Sequence, residues 1–319
     1  GMEQIYVETN NVAEYIAYTK TLNKMNIQST TQEDSLIFVT AELQYMMQNY
    51  EQAAAGLATY LTRFCPGGRY CVNAMHYAAN SYYMLEQYEQ AKEQYMELTK
   101  IDGNPYMEKA CMRVAEISYD QKDYPTALTY FERMYAAASD QNMAQTALLG
   151  MMRCSHYINN NDASIKHATS MLALEDLSNA IYNEALYYRA SAYLNNKQYS
   201  EAIADYTLLA KEVRSAWGAE AKYRLAECHY NLGAKDMAEQ EIMSFTTMQT
   251  THQYWLAKSL ILLADINVDN QDLFQAKQYL LALQNNYKQS DDIAQIIVSK
   301  LDRIAQLEKS ENTDTTLNE

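Results

Sequence analysis

The chain has 319 residues, 40 acidic and 25 basic, for a net charge of −15. Nucleic acids are bound through a concentrated basic surface, so this balance excludes them and favours neutral, polar or basic protein partners. No apolar run approaches the ~20 residues needed to cross a bilayer, and 8 Gly with 3 Pro are few for this length, as suits a nearly all-helical chain.

The chain opens on Gly-Met without a positively charged and then apolar leader, and Gly1 reads as an expression scar. Residues 11–24, with Ala13 and Ala17, have the pattern of a lone second helix. Residues 1–33 are therefore expected to form a helical segment, a half repeat of a longer array. From 34 to 288 a ladder of alanines sets the organisation: Ala53, Ala91, Ala127, Ala163, Ala202, Ala238 and Ala276 recur at 36 to 39 residues. Twelve residues before six of them stand Ala41, Ala79, Ala115, Ala190, Ala226 and Ala264; the fourth copy has Met151 instead. Small residues at a fixed offset and a constant period mark stacked repeats of two amphipathic helices. In the second copy Met75, Ala79 and Tyr82 form one stripe, and Tyr88, Ala91, Tyr95 and Leu98 the other. Polar turns join the helices, as at Glu86-Gln87, Asn159–Asn161 and Asn195–Gln198, and Pro125 sits in a first turn that spares its missing N–H. Ser290, Asp291 and Asp292 open a last helix whose stripe Ile293, Ile296, Ile297, Leu301, Ile304 and Leu307 is expected to cap the array over 289–308. Residues 309–319 are polar and are expected to be disordered.

The paired alanines, the aromatic three residues before the second of them (Tyr50, Tyr88, Tyr124, Tyr199) and the large residue four after it (Leu57, Tyr95, Phe131, Tyr206, Ile242, Leu280) resemble the tetratricopeptide repeat (TPR) family. The resemblance implies an all-α fold, a right-handed α-α superhelix of about seven helix pairs with a C-terminal capping helix. The turn glycine usual in the family survives only at Gly233, and the fourth copy departs furthest, with Met151, Asn160 and His167 out of pattern.

Nine residues before the first alanine stand Tyr70, Tyr106, Trp217 and Trp255, which read as wedges against the preceding repeat. Cys111, Cys154 and Cys228 fall on helices as small core residues. Cys65 and Cys71 flank Pro66-Gly67-Gly68, where a disulfide or two free thiols are both open, the former needing an oxidising compartment. No catalytic motif, cofactor loop or metal-ligand spacing is present, so catalytic residues, cofactor and metal are all expected to be none. His156 and His167, near Cys154, make a weak cluster better read as turn and helix residues.

The resemblance further implies that the first helix of each repeat lines a concave groove for a peptide or partner helix. Positions three before, one after and four after the first small residue share a helix face. They give Phe38, Glu42 and Tyr45; His76, Asn80 and Tyr83; Glu116 and Tyr119 with Met112; Tyr187; Tyr223, Glu227 and Tyr230; and Asp265. The fourth copy contributes Leu148, Met152 and Ser155, and two aromatic clusters flank it. Glu42 and Glu116 oppose a carboxylate clamp of the chaperone-binding kind. The expected function is a non-enzymatic interaction scaffold, by resemblance to long bacterial TPR proteins of the periplasm or cell envelope. The alternative is a structural arm of a larger polypeptide making intramolecular or homo-oligomeric contacts.

Overall fold

The computed structural model describes residues 30–317 together with positions 5, 6, 11, 14, 17 and 18. Most of the expected N-terminal segment 1–33, including the lone helix over 11–24, lies outside the described residues. Among the described residues there is no strand, and fifteen helices run from residue 30 onward. They are α1 Thr30–Met46, α2 Tyr50–Phe64, α3 Cys71–Met84, α4 Tyr88–Leu98, α5 Met107–Asp120, α6 Tyr124–Ala137, α7 Gln141–Tyr157 and α8 Asn161–Leu172. Then follow α9 Asn179–Asn195, α10 Tyr199–Leu209, α11 Ala216–Asn231, α12 Lys235–Thr247, α13 Gln253–Asp269, α14 Leu273–Asn286 and α15 Ile293–Leu317. The chain divides into two compact units, Gly1–Cys154 and Ser155–Glu319. That division falls inside α7, the helix in which the alanine ladder breaks. Within each unit, helices adjacent in sequence pack together as successive pairs.

One turn, repeated seven times, makes the pairs. Three residues separate every first helix from its second, and the middle one is left-handed: Gln48, Glu86, Lys122, Asn159, Lys197, Gly233 and Gln271, with φ between 55° and 78°. At Lys122 the N–H donates to the carbonyl of Tyr119, and the next N–H, of Asp123, donates to that of Ser118. These two bonds satisfy the orphan carbonyls of the helix end, and the same pair recurs in all seven turns. The residue after the left-handed one is already the N-cap of the second helix, so the whole connection is fixed by local backbone hydrogen bonds.

The turn also fixes the register. The left-handed residue stands seven after the first small residue and five before the second in six copies. Counting from Asn159 assigns Met152 and Ser164 to the fourth copy, in place of Met151 and Ala163. Burial agrees: Met152 and Ser164 are 0% and 1% exposed, whereas Ala163 is only half-buried. The twelve-residue spacing is therefore kept, one residue later than the alanine pattern suggested. The other ladder alanines are all buried, and helix crossings there are close, since a Cβ at Gly56 would lie 2.9 Å from that of Ala41.

At the first junction a disulfide joins Cys65 and Cys71, with Cα atoms 5.6 Å apart. The buried Asp34 carboxylate accepts the N–H of Arg69 at 3.1 Å and the hydroxyl of Tyr60, which itself accepts the N–H of Tyr70 at 3.0 Å. Cys111, Cys154 and Cys228 are buried free thiols, and burial pushes the last two up to about 12. The final helix differs from expectation at both ends. It begins at Ile293, with Asp291 just before it accepting the Ile293 N–H at 3.1 Å, and it continues through 309–317, where disorder was expected. Extending an existing helix adds one backbone bond per residue fixed, so a polar sequence without Pro or Gly does not have to stop it. Ile293, Ile297 and Ile304 are buried against the seventh repeat, and Lys300 and Lys277 of the array pair with Asp265 and Glu308 across the contact.

Candidate functional site

The face presented by the first helices is built in two tiers. The lower tier is a set of ring stacks between repeats. Phe38 lies 4.4 Å from Tyr70, His76 3.9 Å from Tyr106, Tyr187 5.6 Å from Trp217 and Tyr223 5.6 Å from Trp255, with planes within 25° in each pair. Every pair joins the position three before the small residue of one repeat to the position nine before it in the next. The aromatic wedges thus rest on the preceding repeat. Their partners are taken up by the stacks: Phe38, His76 and Tyr223 are 2%, 4% and 7% exposed, and so offer little surface to a partner. Burial, with Lys109 nearby, lowers His76 from 6.5 to about 4.

The upper tier is polar and half-exposed, except that Asn80, expected on the open face, is buried at 8% exposed against Tyr45 and Tyr95. In the first two repeats Asn80 donates to the Tyr45 hydroxyl at 2.6 Å and accepts from that of Tyr95 at 3.2 Å. Glu42 stands beside Tyr77, whose phenol is pushed up to about 12 by burial and by Tyr106 and Glu42. Tyr45, Tyr83 and Tyr119 each meet the first aromatic of their own second helix, Tyr50, Tyr88 and Tyr124, edge to face at 5.5 to 5.9 Å. The fourth copy requires a correction. Leu148, Met152 and Ser155 are buried, and the register set by Asn159 puts Leu149, Arg153 and His156 on this face instead, all half-exposed.

In each unit the first helices form a recess, and in the first unit a smaller one of about 140 Å³, between Tyr83, Tyr88 and Glu116, adjoins it. The first unit's main recess, about 370 Å³, brings together Tyr83, Glu116 and Tyr119 with Arg113, Leu149 and Arg153. Arg113 donates to Glu116 at 2.7 Å and to the Tyr83 hydroxyl at 3.2 Å, and its guanidinium lies 4.2 Å above the Tyr83 ring. Burial works against the charge on Arg113, but Glu116 outweighs it and holds the group above its usual value. Gly150 opens this recess: a Cβ there would meet the Phe131 ring at 2.5 Å. The second recess, about 250 Å³, brings together Tyr223, Glu227, Tyr230 and Asp265 with Lys258 and Lys300. Tyr230 donates to Asp269 at 2.7 Å, a bond that with burial raises its phenol to about 12. Tyr187 donates to Glu220 at 3.0 Å, one repeat on, and stays outside the recess.

Arg113 and Arg224 occupy a position two before the small residue that the three-position reading of the face passes over. The arginine repeats at the same place in the third and sixth copies, which is the sequence signal for it. Among the described residues no three His, Cys, Asp or Glu side chains could hold a metal ion. Ser155 and His167 are hydrogen-bonded at 2.9 Å, as a nucleophile and base would be, but both are buried in the core.

Two-helix units joined by one repeated turn define the class as an α-helical repeat protein. The tetratricopeptide repeat family profile matches residues 73–104 and 184–214, two stretches of the chain that are similar to that family. No curated protein matches the chain. Among solved structures, a tetratricopeptide repeat protein from Parabacteroides merdae is 13% identical over 83% of this chain and 98% of its own, with a TM-score of 0.40. The C-terminal part of a TPR repeat-containing protein from Cytophaga hutchinsonii is 14% identical over 92% of this chain and 98% of that one, with a TM-score of 0.38. Naa15/Naa10 bound to HypK-THB is 14% identical over 85% of this chain and 39% of that one, with a TM-score of 0.52. These likenesses concern the fold alone, and the last is the one that supports it. Proteins of this fold are in general interaction scaffolds that bind protein partners rather than enzymes. Among the described residues no helix is long and apolar enough to cross a membrane.

Proposed function

We propose that this chain is a non-enzymatic scaffold that holds a neutral to basic peptide or helix of a protein partner against the face of its first helices. One observation carries the reading. The half-exposed tyrosines Tyr83, Tyr119 and Tyr230 stand at two recesses on that face, presenting apolar rings with polar tips, the profile of contact residues. The buried rings beneath them act as a rigid floor. A periplasmic or cell-envelope setting fits the Cys65–Cys71 disulfide, which persists in oxidising compartments. The test is capture of partner protein from the source cell by the intact chain and by a Tyr83→Ala, Tyr119→Ala, Tyr230→Ala triple variant. Capture should fall at least tenfold while the melting temperature stays within a few degrees. Unchanged capture by a folded triple variant removes this reading.

A further inference from the structure

The third and sixth repeats carry the same face sequence. Residues 113–119 read Arg-Val-Ala-Glu-Ile-Ser-Tyr and residues 224–230 read Arg-Leu-Ala-Glu-Cys-His-Tyr, in equal register and 111 residues apart. In each the arginine pairs with the glutamate three residues on, at 2.7 Å for Arg113–Glu116 and 2.9 Å for Arg224–Glu227. Each glutamate and tyrosine borders one of the two recesses, so each compact unit has one copy of the arrangement.

The recesses are alike in composition, although their charges are placed differently: Arg153 of the first stands at the register position that Asp265 holds in the second. Phe131, Leu149 and Gly150 give the first an apolar floor, and Ile261, Leu262 and Ile296 give the second its own. The first rim has Glu116 and Asp120 against Arg113 and Arg153, and the second has Glu227 and Asp265 against Lys258 and Lys300. Equal numbers of each sign form a neutral rim on a protein whose net charge is −15. A charged group entering such a rim breaks a balanced set and is left without a counter-charge, whereas neutral amides meet donors and acceptors of both kinds. An apolar cavity of ~150 Å³ accommodates a benzene ring, so about 250 and 370 Å³ are enough for one large side chain with its adjoining backbone.

We propose that the chain has two equivalent sites, one in each unit, each taking a single large apolar side chain from an uncharged, extended stretch of a protein partner. The proposal rests on the groove reading and narrows its partner from neutral or basic to neutral. Capped heptapeptides Ser-Gly-Ser-X-Ser-Gly-Ser, with X as Leu, Phe, Lys or Glu, test it by calorimetric titration into the intact chain. The Leu and Phe peptides should bind two per chain, and the Lys and Glu peptides at least tenfold more weakly. Tyr119→Ala or Tyr230→Ala should leave one site, and the double variant none. A photo-crosslinking version of the Phe peptide should label both 107–157 and 216–269 of the unaltered chain, a readout that needs no variant to fold. A single site, labelling confined to one unit, equal binding of the charged peptides, or no binding of the Leu and Phe peptides overturns the proposal. A single site together with loss of partner capture by the triple tyrosine variant overturns this proposal alone and leaves the scaffold reading standing.

Discussion

The imidazole of His76 lies face to face with the ring of Tyr106, centroids 3.9 Å apart and planes within 3°. The same two register positions hold Phe38 on Tyr70 and Tyr223 on Trp255, so a titratable ring sits where other repeats place an uncharged one. Its Nδ1 is buried without a partner, and burial lowers its pKa from 6.5 to about 4. The unfolded chain takes up a proton below pH 6.5 that the folded chain refuses until about 4. Stability is therefore complete above that window and falls as pH drops through it, by at most ~1.4 kcal/mol per pH unit. His76→Phe keeps the stack and removes the titration. Urea unfolding at pH 7 and pH 5 should show a gain for the variant that is ~1–2 kcal/mol larger at pH 5. A gain equal at both pH values contradicts this account.

The seven turns make a second prediction. A left-handed residue with a side chain costs ~1–2 kcal/mol that glycine avoids, less the ~0.4–1 kcal/mol of extra freedom glycine has when unfolded. Lys122 and Lys197, at φ 62° and 60°, hold the turn through backbone bonds alone. Lys122→Gly and Lys197→Gly should each stabilise the chain by up to ~1 kcal/mol, read as a higher urea midpoint at constant slope. Loss of stability in both would mean that the side chains contribute more to the turn than its backbone does.

Gly218 presents the opposite case. Its N–H donates to the Ser215 hydroxyl at 3.0 Å at the start of α11, and a Cβ would lie 2.0 Å from the carbonyl oxygen of Glu212. That neighbour is backbone and cannot turn aside, so Gly218→Ala should destabilise by ~1–3 kcal/mol or more. The adjacent Trp217, stacked on Tyr187, should report the change in its fluorescence below the main unfolding transition. An alanine variant as stable as the parent would show that the loop after α10 yields freely.

Much of this was legible in the sequence, and the gaps have identifiable causes. The ladder gave the helix pairs because small residues at a crossing are a steric requirement, and Ala79 and Ala91 fill it completely. The wedge aromatics were readable as packing, but Phe38 and His76 were not distinguishable from Tyr83: a ring on the right helix face says nothing of what the next repeat lays over it. The turn glycine was missing from the pattern because local hydrogen bonds force Gln48, Glu86 and Lys122 into the left-handed region without it. Arg113 and Arg224 escaped because a three-position reading of the face leaves out the place they share. The fourth copy was placed one residue early because Ala163 lies beside the true position and is the only alanine there.

That shift has a consequence at Ser164. Its hydroxyl is buried with no hydrogen-bond partner, at a place where six other repeats carry an alanine. A buried polar group left unsatisfied costs ~1–3 kcal/mol, and alanine removes the oxygen while keeping the Cβ that the helix crossing accommodates elsewhere. Ser164→Ala should therefore raise stability by about 1 kcal/mol, whereas Ala163→Ser, at a half-buried position, should change it by no more than ~0.5 kcal/mol. The two substitutions exchange the same pair of residue types at adjacent positions, so propensity differences cancel in sign and cannot mimic the asymmetry. In denaturant unfolding, a loss in Ala163→Ser larger than the gain in Ser164→Ala would return the rung to Ala163 and undo the corrected register, and equal and opposite effects would leave helix propensity as the whole difference. A gain confined to Ser164→Ala would fix Met152 and Ser164 as the fourth pair.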